Sequence, residues 1–280
     1  MDEEYIRLLN SNKLQELFDC RSGYMDQNDC TWYHENWMLL RYLGVVSNPF
    51  WHEKFYENAI QQYVNQLDKV LILGTADFSM PYLCQMKGIK KLKICDICRT
   101  PLNICQNVAK ANNFSWEVEQ KNVFEGIDEK YDAVINDAFI TRFEYDKKRI
   151  VLEKIWDSLR DEGVYITTMR NDWNYGNAIV PNSAEKESFI EKAVHSAERK
   201  NIDSKKAKVA ASRYIEKMKS YPIRDEKMLE NLIDGLFNIV YIGKGRVEGE
   251  CTRTTYFRLI LQKQLSLIHI SEPTRLRRIS

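Results

Sequence analysis

Five short apolar runs separated by stretches of helical period dominate the middle of the chain: KVLILG (69–74), KLKICD (91–96), SWEVEQ (115–120), YDAVIND (131–137) and GVYITTM (163–169). Near-continuous apolar runs of this kind suit strands buried on both faces, and their alternation with helices predicts βαβ units and a parallel sheet. Ahead of them, apolar positions recur at Leu8, Leu9, Leu14, Leu17 and Phe18, then at Tyr33, Trp37 and Leu40. That spacing predicts helices over 1–68, with a boundary at Asn48-Pro49. Behind the strands, Asn182 followed three residues later by Glu185 reads as a capping box that starts a helix. Amphipathic stretches continue through Phe189, Ile190, Ala193, Val194 and Ala197, then Val209, Tyr214, Ile215 and Met218, then Met228, Leu229, Leu232, Ile233 and Leu236. A helical insertion over about 182–236 therefore interrupts the sheet. FNIVYIGKGRVEG (237–249) and TTYFRLILQK (254–263) close the pattern as a hairpin. The expected class is α/β: a doubly wound, mostly parallel seven-stranded sheet with an antiparallel C-terminal hairpin, an N-terminal helical cap over 1–68, and a main domain over 69–264 that carries the insertion.

Charge removes some partners. Lysine and arginine number 41, aspartate and glutamate 40, for a formal charge of +1, so no whole-molecule field favours nucleic acid. No stretch approaches the roughly 18 to 20 apolar residues of a membrane span, and MDEEYIRLL is acidic where a secretory signal is basic. The reading is a soluble, cytoplasmic protein without a membrane partner. The seven cysteines, Cys20, Cys30, Cys84, Cys95, Cys98, Cys105 and Cys251, are an odd number in a long chain and are expected as reduced thiols. Leu265–Ser280 has neither strand alternation nor helical period. Its start, LSLIHISEPTR (265–275), resembles a translated sequencing adapter, so 265–280 is read as a non-native tail and left out of the fold expectation.

The chemistry is expected where the first strand ends. KVLILGTADFSM places Gly74 in a short loop before a helix that starts near Met80, and doubly wound sheets bind ligands in the crevice beyond such strand ends. Asp96 closes the second strand 22 residues later, at the spacing of a carboxylate that accepts hydrogen bonds from ribose hydroxyls. Ala76 and Phe78 stand where the G-x-G-x-x-G pattern has glycines, which disfavours a dinucleotide or phosphate cradle.

These stretches together resemble the class I S-adenosylmethionine-dependent methyltransferases, over roughly Lys69–Lys263. VLILGTAD is similar to their first motif and KICDIC to the strand whose acid holds ribose. KNVFEGI is similar to the loop beside adenine, YDAVINDAFI to the fourth motif, and LRDEGVYITTMR to the fifth strand with its turn. The resemblance implies S-adenosyl-L-methionine as cofactor, with Gly74, Thr75 and Ala76 along its methionine part and Asp96 on both ribose hydroxyls. It implies Ile97 and Val123 at the adenine, Asn122 facing the adenine amine, and Asn136 and Asp137 near the methyl group. Ile72 replaces the acid that the family often carries two residues before the glycine, so Asp77 is the expected partner of the amino-acid end.

Methyl transfer to an acceptor that arrives protonated needs a base within hydrogen-bond reach, and Asp137, His34 and Tyr33 are the candidates. Trp32-Tyr33-His34 with Trp37, and Trp51-His52 with Phe55 and Tyr56, form an aromatic segment that a lid over the crevice would use, and aromatic faces suit a flat or cationic acceptor. The alternative for each ring is plain packing against the sheet. Cys95-x-x-Cys98 straddles Asp96 with no second pair at zinc spacing, so no metal site is expected. Glu198–Lys219 carries eight basic residues against three acidic, which suits a solvated face or a nucleic-acid contact. The fourth strand ends in NDAF without the Asn/Asp-Pro-Pro-aromatic pattern of methyltransferases acting on adenine or glutamine amides. The expected activity is methyl transfer to an oxygen or nitrogen of a small molecule. The rivals are an RNA methyltransferase that clamps RNA with the basic insertion, and a non-catalytic methyltransferase-like partner protein.

Overall fold

A computed structural model describes residues 1–11, 14–20, 30–172, 178–247 and 255–264. Cys251 and the stretch 265–280 lie outside the described residues. The five expected parallel strands form as β1 (Lys69–Leu73), β2 (Lys91–Asp96), β3 (Trp116–Gln120), β4 (Tyr131–Asp137) and β5 (Leu159–Asn171). They are joined by β6 (Phe237–Arg246) and β7 (Thr255–Lys263) in one seven-stranded sheet of order β3-β2-β1-β4-β5-β7-β6. β1 to β5 pair in parallel, and β7 runs antiparallel between β5 and β6. The central strands are apolar on both faces because helices cover both: Val70 and Ile72 point into one core, Leu71 and Leu73 into the other.

β5 begins four residues earlier than its apolar run suggests. Leu159 pairs with Tyr131, then the register shifts before Val164 meets Ala133. Glu162 takes φ +62° in that irregularity. A β-carbon at the next residue, Gly163, would lie 2.9 Å from the Arg160 carbonyl oxygen, so the polar stretch enters the strand through a bulge that only a small residue closes.

The helices are α1 (Asp2–Leu9), α2 (Thr31–Tyr42), α3 (Glu53–Tyr63), α4 (Ser79–Met86), α5 (Arg99–Asn112), α6 (Tyr145–Ser158), α7 (Ser183–Arg199), α8 (Ser204–Lys217) and α9 (Glu226–Ile233). Leu14–Leu17 forms only a 3-10 turn. α2 ends in a Schellman motif: Gly44 takes φ +74°, Val45 N–H donates to the Leu40 carbonyl and Gly44 N–H to that of Arg41. α7 starts with the expected capping box, in which Asn182 Oδ1 accepts from the Glu185 N–H and Glu185 Oε2 from the Asn182 N–H. On α8 the buried stripe is Ala207, Ala210, Ala211, Tyr214 and Ile215, while Val209, expected on the apolar face, is half exposed.

α2 and the insertion form one layer. Trp37, Leu40 and Leu43 share an apolar cluster with Phe189, Ala197, Ala211, Tyr214 and Met218, and Ser196 Oγ donates to the Leu43 carbonyl at 2.5 Å. The alanines let α8 approach α7 and α2 closely, and the large rings come from the other side.

Candidate active site

The carboxyl ends of β1, β2 and β4, with α2 and the end of α8 above them, line a half-open cavity of about 790 Å³. It lies where the chain reverses direction across the sheet, between β1 and β4, the position at which doubly wound folds bind ligands. Gly74 lines it with φ +70°, and a β-carbon there would fall 2.1 Å from the Phe139 ring. The glycine thus leaves room for the ring and keeps bare backbone at the wall. Gly74→Ala is expected to cost about 1–3 kcal/mol through left-handed strain and the clash. Thermal unfolding checks it, and an unchanged midpoint would show that the ring moves aside freely.

Asp96 also lines the cavity and is fixed by two backbone donors: Oδ2 accepts from the Thr75 N–H at 3.0 Å and Oδ1 from the Cys98 N–H at 2.8 Å. Burial pushes its carboxyl up to about 7, against the opposing pull of His34 and of those N–H groups. Thr75, Ala76 and Ile97 share the same wall.

Asp77 does not reach the cavity. It is fully buried and takes the Arg41 Nη1–H at 2.6 Å, the Tyr5 O–H at 2.9 Å and the Ser79 N–H at 2.8 Å. Arg41 in turn donates through Nε to the Ser47 carbonyl at 2.8 Å and through Nη1 to Ser79 Oγ at 2.6 Å. The carboxylate expected at the amino-acid end of the cofactor is thus committed to a buried ion pair, and Arg41 presents itself at the cavity wall instead.

Asp137 ends β4 on the cavity wall. Its Oδ2 accepts from Ser47 Oγ at 2.9 Å, and its Oδ1 from Thr168 Oγ1 at 2.6 Å and Tyr56 O–H at 3.2 Å. The Tyr56 hydroxyl also reaches the Asn136 carbonyl, at 2.9 Å. Asn136, one residue earlier and on the opposite face by strand alternation, is fully buried, and its Oδ1 accepts from Tyr165 O–H and Thr167 Oγ1. Asn122 caps the turn Val123–Glu125 by accepting the Phe124 N–H at 3.1 Å, and Val123 is buried in the core. Neither reaches the cavity, and the wall there is Phe124.

The aromatic segment divides. Tyr33 stacks on Trp37 at 4.5 Å between centroids, both pack on Tyr214 of the insertion, and the Arg142 guanidinium lies 4.9 Å from the Tyr33 ring. Burial raises the Tyr33 phenol above its ordinary range, so it stays neutral near pH 7. His34 is buried, with Nδ1 3.6 Å from Cys20 Sγ. The Trp51-His52 half lies elsewhere: His52 accepts from Arg258 Nε at 3.1 Å, packs on Tyr256, and is lowered to about 4 by burial.

Arg142, Phe139, Phe143, Tyr214 and Lys217 complete the wall and were not legible in the sequence. Arg142 and its neighbours are held by Lys148, whose fully buried Nζ donates to the Ile140 and Tyr221 carbonyls at 2.7 and 2.8 Å, with burial lowering the ammonium to about 7.

Solved structures share this architecture. A methyltransferase from Methanosarcina mazei described as SAM-dependent superposes with a TM-score of 0.51 at 14% identity, covering 74% of this chain and 97% of that one. An S-adenosylmethionine-dependent methyltransferase from Clostridium acetobutylicum gives 0.51 at 10% identity, covering 78% and 92%. The fold is that of the Rossmann-like methyltransferases. The seven-stranded, mostly parallel sheet and its antiparallel C-terminal hairpin are as the sequence resemblance implies. Among curated proteins, 112 residues are 30% identical to ribosomal protein L11 methyltransferase of Dictyoglomus thermophilum, which is 39% of this chain and 35% of that protein. The corresponding protein of Staphylococcus carnosus is 26% identical over 113 residues, 40% and 35% of the two chains. The chain thus matches about a third of the length of these curated relatives. No family model matches it. No helix among the described residues is long and apolar enough to cross a membrane.

Proposed function

We propose that the chain transfers the methyl group of S-adenosylmethionine to an oxygen or nitrogen of a small, flat molecule. The observation that carries this reading is the Asp96 carboxylate, anchored by the Thr75 and Cys98 N–H groups, on the wall of a cavity that the backbone of Gly74 lines beside it. At about 790 Å³ the cavity falls within the usual range for ligand sites. When bound, the cofactor supplies an electrophilic methyl on a sulfonium, so the protein's task is mainly alignment. Asp96 would accept the ribose hydroxyls, Ile97 would pack on adenine, and Gly74–Ala76 would border the methionine part. Arg41, rather than Asp77, would pair with the cofactor's carboxylate.

Asp137, held at the cavity wall by hydrogen bonds from Ser47, Tyr56 and Thr168, is the base this reading retains for an acceptor that arrives protonated. Tyr33, Trp37, Phe139, Phe143 and Tyr214 wall the remaining space with flat rings, while Arg142 and Lys217 add positive charge. That charge disfavours the cationic acceptor and favours a neutral or anionic one. The depth of the cavity beneath α2 and the end of α8 supports a small molecule, and its open side leaves a protein or RNA substrate as an outcome of the tests below.

Calorimetric titration with S-adenosylmethionine and S-adenosylhomocysteine tests the cofactor. Saturable binding of both at one site per chain is expected, and a folded protein that binds neither would overturn the proposal. Retention on RNA that weakens steeply with salt would move the acceptor to RNA.

A further inference from the structure

Cys20, Cys30, His34 and Cys98 bring three sulfurs and one imidazole nitrogen to a common point, all four atoms lying within 4.8 Å of one another. Cys30 Sγ is 3.6 Å from Cys98 Sγ, Cys98 Sγ is 3.8 Å from Cys20 Sγ, and Cys20 Sγ is 3.6 Å from His34 Nδ1. Tetrahedral zinc with bonds of about 2.3 Å to sulfur and 2.0–2.1 Å to nitrogen sets edges of about 3.8 Å between sulfurs and about 3.6 Å from sulfur to nitrogen. Three of the six separations match those edges, and the other three stay within 4.8 Å. We propose that Cys20, Cys30, His34 and Cys98 bind one structural Zn2+ ion.

The surroundings suit thiolates. Cys98 is the N-cap of the fourteen-residue α5, where the helix field favours negative charge. Thr100 Oγ1 lies 3.1 Å from Cys20 Sγ and accepts the Asp19 N–H at 2.8 Å, an outer partner that orients the ligand segment. Cys30 and His34 stand four residues apart, at the head of α2 and one turn into it, a spacing that puts both on one side. Three thiolates and one imidazole are soft and borderline donors that select zinc over hard cations. Binding replaces three thiol protons, which pass to solvent, and oxidises nothing.

The sequence dismissed this site because it paired Cys98 with Cys95. Strand alternation sends Cys95 into the apolar core on the other side. The proposed set takes Cys20 from the segment before α2, Cys30 from the N-cap of α2, His34 from its first turn and Cys98 from the N-cap of α5. Cys98 is also the residue whose N–H holds Asp96, so the ion would pin the N-terminal segment and the roof to the cofactor wall. His34, as a ligand through Nδ1, is then a positioning residue and not a base.

Cys30, His34 and Cys98 also line the cavity proposed for the cofactor, and the test measures metal rather than methyl transfer, so that the two readings can fail separately. Full-length protein purified under reducing conditions from zinc-supplemented medium is expected to carry one zinc per chain by elemental analysis. Replacement by Co2+ should give tetrahedral visible bands with a thiolate charge-transfer band. His34→Ala should weaken zinc affinity at least about tenfold, whereas His34→Cys keeps a fourth soft ligand and should keep the metal with a shifted cobalt spectrum. Cys95→Ala should leave stoichiometry unchanged. A folded protein that takes up no zinc when reduced, a Cys30–Cys98 disulfide as the native state, or zinc retained equally in His34→Ala would overturn the proposal.

Discussion

Asp96→Ala should weaken binding of S-adenosylmethionine and S-adenosylhomocysteine at least about 100-fold, because two hydrogen bonds to a charged acceptor contribute roughly 1.5–3 kcal/mol each. The carboxylate is aimed before any ligand arrives, since Thr75 and Cys98 each donate a backbone N–H to a different oxygen. Alanine also releases those donors, so the titration is paired with thermal unfolding to separate a lost ligand contact from a loosened loop. Asp96→Asn keeps a side-chain oxygen and should fall between the two. An unchanged dissociation constant in Asp96→Ala would remove the ribose role and with it the main support for the cofactor.

Arg41→Met should destabilise the fold by about 3–5 kcal/mol, the range found when one member of a buried ion pair is removed and the other stays charged. Arg41 and Asp77 are 6% and 0% exposed, and the pair also engages Tyr5, Ser47 and Ser79. Two helices of the cap and the loop after β1 therefore meet at a single buried charge pair. For a chain of this size the loss corresponds to a drop on the order of 10 °C in the unfolding midpoint. Adding Asp77→Leu should recover much of it, because the double variant leaves no isolated charge. Losses that simply add would show that the pair is not coupled.

The sheet was legible because burial on both faces writes a strand as an unbroken apolar run, as in Val70–Leu73 and Ala133–Ile135. Asn182 and Glu185 announced α7 through local hydrogen bonds that any three-residue spacing reveals. The first part of β5 was hidden because Arg160–Glu162 is polar and joins the sheet through a bulge. Of the residues expected at the site, Tyr33, His34, Gly74, Thr75, Ala76, Asp96, Ile97 and Asp137 line the cavity, most of them at or just after strand ends. Asp77 misled because nothing local shows that Arg41, 36 positions away, neutralises it. The approach of Cys98 to Cys20 and Cys30, 78 and 68 positions distant, was equally hidden from any local pattern.

The cavity roof joins α2 to α8 through one apolar cluster, and the sheet beneath it is completed by β7 between β5 and β6. During synthesis the first three strands and α2 leave the ribosome long before Tyr214 or Phe257 exists. Asp96 and Gly74 can be in place on a nascent chain while the pocket above them is still open to water. The cavity roof can therefore be completed only late in translation, and until the insertion has emerged Trp37 and Leu40 lack the apolar partners that cover them in the folded chain.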